Sequence, residues 1–246
     1  MHSEYIRDVP NGDTVVLFIH GILGSPRHFD CFVSALPPSY AVYNILLDGH
    51  GKTVKDFSHT SMNKWKNQVQ DTVEQLVQRY KNIVIVAHSM GTLFAIDMAV
   101  KFSQVKLLFL LNSPLKVFIK PNATINSIKV VMGLDKSDDL TTQALKNACS
   151  ITLNKKLWCC VGWIPRYLEL LKEIRSTRNI VEKVKIPCYV FQSKNDELVS
   201  AKSIKFLKKN KDFNITVLEN STHFSYSERD TKYIVDKLNE LIITLE

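Results

Sequence analysis

Along the chain, short β-branched apolar runs alternate with stretches in which apolar residues recur every three or four positions. The runs are TVVLFIH (14–20), YAVYNILL (40–47), NIVIVAH (82–88), VKLLFLLN (105–112), PCYVFQS (187–193) and NITVLEN (214–220). Runs of this length bounded by turn formers read as buried strands, and their alternation with helical patterns predicts a mostly parallel sheet flanked by helices. In SMNKWKNQVQDTVEQLVQRY (61–80), Trp65, Val69, Val73, Leu76, Val77 and Tyr80 share one helical face. MGTLFAIDMAVKF (90–102) is apolar nearly all round, as a helix packed on a sheet should be. RYLELLKEIR (166–175), opened by Pro165, and KYIVDKLNELIITL (232–245) are further amphipathic helices. In AKSIKFLKKNKDF (201–213), Ile204, Phe206 and Leu207 form an apolar stripe among five lysines, which predicts a helix with a solvated basic face.

The alternation breaks once. Between about residues 114 and 164 the periodicity is mixed, and this segment sits between two sheet strands. It reads as a cap inserted before the fifth of these runs. With no repeat, low-complexity tract or linker elsewhere, residues 1–246 are expected to form a single α/β domain carrying that cap.

Composition narrows the setting. No apolar run approaches the roughly 18 residues of a membrane span, and the first dozen residues lack the apolar core of a signal peptide. Cys31, Cys149, Cys159, Cys160 and Cys188 are odd in number and show no C-x-x-C spacing, so neither a disulfide framework nor a zinc site is expected. A cytoplasmic location follows as the simplest expectation. The net charge of +8 is spread along the chain without interleaved aromatics, so no nucleic-acid partner and no stable membrane insertion are expected. Nothing chooses between a monomer and a homodimer.

The chemistry concentrates at strand ends. AHSMG (87–91) joins an apolar strand to an apolar helix through a turn of the G-x-S-x-G type, with Ala87 at the first small position and Gly91 at the second. Such an elbow projects Ser89 beyond the carboxyl end of the sheet and sets the Met90 amide at a helix N-terminus, where an anion is favoured. The bland alternative makes Ser89 a helix cap. A serine nucleophile needs a base and an acid. His223, just past the last strand, is the candidate base, whereas His20, His50 and His88 belong to other motifs and His2, His28 and His59 have no acid at a matching strand end. Asp196, three residues past the fifth run, is the preferred acid over its neighbour Glu197 and over Asp48, which also ends a strand. The Gly-rich turn HGILGSP (20–26) frees the Ile22 amide to join Met90 as an oxyanion donor. DGHGKT (48–53) ends like a phosphate-binding loop, but Leu46 stands where the first glycine would be, so no nucleotide cofactor is expected.

FIHGILGSP, LLDGHGKT, VAHSMGTLFA, IPCYVFQSKNDELV and NSTHF together resemble the small carboxylesterases and monoacylglycerol lipases of the α/β-hydrolase superfamily, over roughly residues 14–230. The resemblance implies an α/β-hydrolase fold with Ser89 as nucleophile, Asp196 as acid, His223 as base and Ile22 and Met90 as oxyanion donors. It implies no metal or other cofactor. Ala87, Ser193 and Thr222 stand where the family often has glycine, and none of these departures removes a reacting group. The expected activity is hydrolysis of a small carboxylic ester, with short- to medium-chain acyl esters or monoacylglycerols as substrates. The same three residues also serve thioesterases, acyltransferases, C–C hydrolases and peptidases, and a hydrolase fold kept as a ligand-binding protein is a further alternative. Val117, Phe118, Ile119, Val130, Val131, Met132, Leu157, Trp158 and Trp163 either build an acyl pocket or merely pack the cap.

Overall fold

A computed structural model describes residues 2–117, 150–151 and 163–245. Its strands are β1 (Tyr5–Arg7), β2 (Thr14–Ile19), β3 (Ala41–Ile45), β4 (Asn82–His88), β5 (Val105–Leu111), β6 (Cys188–Ser193) and β7 (Phe213–Leu218). They form one sheet in the order β1-β3-β2-β4-β5-β6-β7, parallel except for β1, which runs antiparallel to β3. β2 and β4 are buried along nearly their whole length because helices cover both faces. That explains their unbroken apolar sequences.

The helices are α1 (Asp30–Ala35), α2 (Val54–Ser58), α3 (Met62–Val77), α4 (Met90–Lys101), α5 (Ile164–Arg178), α6 (Ser203–Leu207) and α7 (Glu228–Ile243). One core forms where Trp65, Val69, Val73 and Leu76 of α3, Leu93 and Phe94 of α4, and Leu170 and Ile174 of α5 meet Val15, Ile85 and Leu108 of the sheet. The opposite face packs Phe29, Phe32 and the α7 residues Ile234, Leu238 and Ile242 against Val16, Val84 and Phe109. α7 starts four residues earlier than its apolar pattern suggests because the Ser227 side chain accepts the Asp230 amide as a cap.

Three differences from the sequence expectation have local causes. The run at 40–47 ends as a strand at Ile45, because side chains take over the backbone: Gln68 Nε2 donates to the Leu46 carbonyl (3.0 Å) and the Leu47 amide donates to His20 Nε2 (3.1 Å). The lysine-rich helix is only Ser203–Leu207. It stops before Asn210, whose side-chain amide donates to the carbonyls of Val181 (3.0 Å) and Val184 (2.8 Å) instead of leaving the helix to continue. β1, α1 and α2 were not foreseen at all.

Most of the cap expected at 114–164 lies outside the described residues, as do Phe118, Ile119, Val130, Val131, Met132, Leu157 and Trp158. Of the remaining two candidates for an acyl pocket, Val117 bridges antiparallel to Val199, and the Trp163 ring lies 5.6 Å from that of Phe57. Both pack against the core.

Candidate active site

β4 delivers the chain into a sharp turn. Ser89 occupies the N-cap position of α4 with φ +51 and ψ −124, yet its side chain caps nothing. The cap role is left to the backbone, with the Thr92 amide donating to the Ser89 carbonyl (3.0 Å). The Ser89 hydroxyl is thereby free for another partner. The turn is tight enough that a Cβ on Gly91 would sit 2.3 Å from the Ile19 carbonyl oxygen, and one on Gly21 would sit 2.8 Å from Ser89 Cβ. Glycine at both positions lets the loop after β2 lie directly on the elbow.

The partner of Ser89 is His223. Ser89 Oγ lies 3.0 Å from His223 Nε2, and His223 Nδ1 lies 2.7 Å from Asp196 Oδ2. A carboxylate only accepts, so Nδ1 carries the proton and Nε2 is left to accept from the hydroxyl. Asp196 is held in turn: its Oδ1 accepts the amides of Leu198 (2.8 Å) and Val199 (2.6 Å). The two rival acids are engaged elsewhere. Glu197 accepts the backbone amide of His223 through Oε2 (3.1 Å), and Asp48 pairs with Lys64 (2.8 Å).

Electrostatics set His223 apart from its neighbours. Burial drives His20 down to about 4 and His28 down to about 3. His50 and His88 likewise fall well below the ordinary histidine range, chiefly through burial. Burial pulls on His223 in the same direction, but the Asp196 carboxylate, by charge and hydrogen bond, and the Glu197 charge outweigh it and raise its pKa. Of these five rings, His223 is the one poised to carry a proton near neutrality.

The neutral histidines are structural. His50 Nε2 accepts the Leu23 amide (3.2 Å) and His20 Nε2 accepts the Leu47 amide (3.1 Å), so the two rings, 4.7 Å apart, clamp the loop after β2 to the loop after β3. With the Leu23 amide taken, the Ile22 amide beside it has no bonded acceptor among the described residues, and neither has that of Met90. His88 donates through Nε2 to the His223 carbonyl (2.9 Å), and its ring lies 3.9 Å from that of His28. Among the described residues, Leu23, Ser89 and Asn112 are three of the four non-glycines with positive φ. They follow β2, β4 and β5 at the same rim, which is how backbone strain gathers at functional sites.

The structure therefore brings Ser89, His223 and Asp196 into one hydrogen-bonded chain, with Ile22 and Met90 on the two segments flanking the serine. Sequence reasoning missed the roles of His20, His50, His88, Glu197 and Asn112. Each depends on which backbone group a distant loop presents, for which the sequence carries no periodic signal. Among the described residues, no group of three or more His, Cys, Asp or Glu is arranged to hold a metal, and no helix is long and apolar enough to cross a membrane.

Sheet order, two-sided helical packing and the strained serine turn are those of an α/β-hydrolase. The chain belongs to the Hydrolase_4 family, described as serine aminopeptidase, S33, whose model matches residues 10–230. No curated protein matches the sequence. Solved structures share the fold at low identity. One is from work on LipS and LipT, two metagenome-derived lipolytic enzymes (18% identity, TM-score 0.75, covering 99% of this chain and 98% of that one). Others are the monoacylglycerol lipase of Paleococcus ferrophilus (17%, TM-score 0.67, covering 98% and 99%) and ferulic-acid-bound Est1E from Butyrivibrio proteoclasticus (19%, TM-score 0.65, covering 98% and 94%).

Proposed function

We propose that the protein is a serine hydrolase that cleaves small carboxylic esters through an acyl-enzyme at Ser89. The observation that carries the reading is the unbroken chain from Asp196 Oδ2 through His223 (2.7 Å) to Ser89 Oγ (3.0 Å). His223 Nε2 takes the hydroxyl proton as Oγ attacks the ester carbonyl carbon. The amides of Ile22 and Met90 receive the oxyanion, and Asp196 stabilises the imidazolium without itself becoming protonated. Collapse of the tetrahedral intermediate breaks the ester C–O bond, and the imidazolium protonates the leaving alkoxide. Water, deprotonated by His223, then releases the acid and restores Ser89. The lipase and esterase structures that share the fold support an ester or monoacylglycerol as the substrate, and within that class short- to medium-chain acyl groups are the reading adopted. A monomeric or dimeric protein in a reducing, cytoplasmic setting completes the reading, supported by free thiols at Cys31 and Cys188.

The description of the family favours a second reading, cleavage of an N-terminal residue from a peptide by the same three side chains. A fluorophosphonate probe tests the class: covalent attachment at Ser89 is expected, lost in Ser89→Ala, and an unlabelled native protein indicates a ligand-binding hydrolase fold instead. A panel of p-nitrophenyl esters graded by chain length, with a monoacylglycerol, an acyl thioester and amino-acid p-nitroanilides, tests the substrate. Thioester or anilide turnover well above ester turnover refutes the ester assignment.

A further inference from the structure

Asn112 follows β5 directly, is fully buried, and holds φ +52. Its backbone amide donates to the Phe191 carbonyl on β6 (2.9 Å). Its Oδ1 accepts the Ser193 amide (2.7 Å), three residues before Asp196. Its Nδ2 donates to the His223 carbonyl (3.1 Å) and lies 3.3 Å from both the Thr222 carbonyl oxygen and Tyr226 Oη. The residue before it, Leu111, accepts the Ser89 amide (2.9 Å). Two consecutive residues thus bond to each of the three segments that bear Ser89, Asp196 and His223.

We propose that Asn112 is a positioning residue of the hydrolytic site: its side-chain amide fixes the spacing between the acid-bearing and base-bearing loops, so that the imidazole stays between Asp196 and Ser89. The inference rests on the ester-hydrolase reading of those three residues. The pairing of β6 with β7 ends at Ser193 and Leu218. Beyond it, ties between the two loops run from the Asn195 amide to the Ser221 carbonyl (3.3 Å) and from the His223 amide to Glu197 Oε2 (3.1 Å). On the acid-bearing side these come from Asn195 and Glu197, which are not buried, whereas Asn112 joins the loops from the buried side. Carboxamide chemistry fits the task. One oxygen accepts from a backbone N–H while one nitrogen donates to a backbone C=O, a combination that the carboxylate of aspartate does not offer. Asparagine also tolerates the left-handed backbone that aims the side chain this way. A second donor on the same carbonyl, His88 Nε2 (2.9 Å), ties the base to the elbow but not to the acid loop.

The titratable groups around His223 are Asp196 and Glu197 on the acid loop, His88 on the elbow, His28 behind it, and Tyr226 beyond the base. His88 and His28 are neutral through burial, and burial likewise holds Tyr226 well above its ordinary value. The Asp196–imidazole spacing therefore governs how far His223 is raised, and loosening Asn112 lowers it.

Asn112→Gly keeps the left-handed backbone accessible and removes the tie. With p-nitrophenyl butyrate, kcat is expected to fall at least ~10-fold with KM within about twofold. The acid limb of kcat/KM against pH moves to lower pH, and fluorophosphonate labelling slows in step. A purely structural role lowers the thermal midpoint and leaves the acid limb in place. Asn112→Ser, which removes less volume, carries the same expectation and is used where the glycine variant does not fold cooperatively. A folded variant with kcat within about threefold of the native protein and an unmoved acid limb overturns the proposal. Failure of the underlying reading looks different: the native protein itself is then unlabelled at Ser89.

Discussion

Gly91→Ala adds one methyl at the most crowded point of the elbow. Its Cβ would lie 2.3 Å from the Ile19 carbonyl oxygen and 2.8 Å from that of His20. Both are backbone atoms, at the end of a fully buried strand and at the start of the loop that lies on Ser89. Neither can rotate away as a side chain would. The elbow and the end of β2 must separate by a large part of an ångström, and overpacking of this kind costs about 3 kcal/mol. For a chain of 246 residues, ~2–4 °C of thermal midpoint per kcal/mol makes the expected fall about 6–12 °C by circular dichroism. The same separation moves Ser89 away from the Ile22 amide, so kcat for a p-nitrophenyl ester is expected to drop on the order of 100-fold in whatever fraction stays folded. Gly12→Ala is the control, since the nearest atom to its added carbon is 3.3 Å away in a surface turn; its midpoint stays within about 2 °C. A Gly91→Ala protein that melts within that same margin and labels at the native rate refutes the reasoning.

At the other small position, Ala87→Gly is expected to keep turnover within about threefold while losing ~0.5–1 kcal/mol of stability in a urea titration, as for glycine in a strand interior. Because Asp196 and Glu197 outweigh burial and raise His223, the acid limb of kcat/KM should lie above the ~6.5 of a free imidazole, activity falling as the ring protonates. Glu197→Gln removes one of those charges while leaving an acceptor for the His223 amide, so the limb moves to lower pH; an unmoved limb counts against the assignment. For stability the signs differ. His20, His28, His50 and His88 are depressed in the fold, so the unfolded chain takes up more protons and their contribution is lost as pH falls from about 6.5 toward 4, which chemical denaturation at stepped pH reads directly. His223, being raised, opposes this only in part. His50→Phe deprives the Leu23 amide of its acceptor, and a kcat loss of ~10-fold or more with little change in KM is expected if that bond aims the Ile22 amide.

The pattern of legibility follows from where the determining interactions lie. β2, β4 and β5 were readable because burial on both faces writes itself into consecutive residues, and α3 because one buried face recurs at helical spacing. β1 was not, since its three residues are mostly exposed and owe their extended form to pairing with β3. The short α2 did carry a signal, Thr53 and Asp56 as a reciprocal cap, but five residues are too few for periodicity to declare a helix. Within the site, Ser89 was legible from the local demands of a tight turn, and Gly91 for the same reason. Asp196 could be preferred over Glu197 by position alone, yet the structure separates them by role: one carboxylate meets the ring, the other the backbone amide of the same residue.

What stayed hidden is the set of polar side chains that bind backbone groups across loops. His20, His50, His88 and Asn112 each satisfy an amide or carbonyl presented by a segment far away in sequence. Ladder hydrogen bonds end with the strands, while Ser89, Asp196 and His223 lie just beyond those ends, where a few backbone bonds continue and side chains satisfy the remaining backbone groups. Buried neutral histidines and an asparagine suit that position because each accepts with one atom and donates with another, without the cost of burying a charge. That also accounts for the division of labour among five of the histidines. Four are kept neutral by burial: His20, His50 and His88 act as fixed backbone partners, and His28 packs its ring on that of His88. The fifth is the one ring against which a carboxylate has been placed, so proton uptake near neutrality is confined to the atom that faces Ser89.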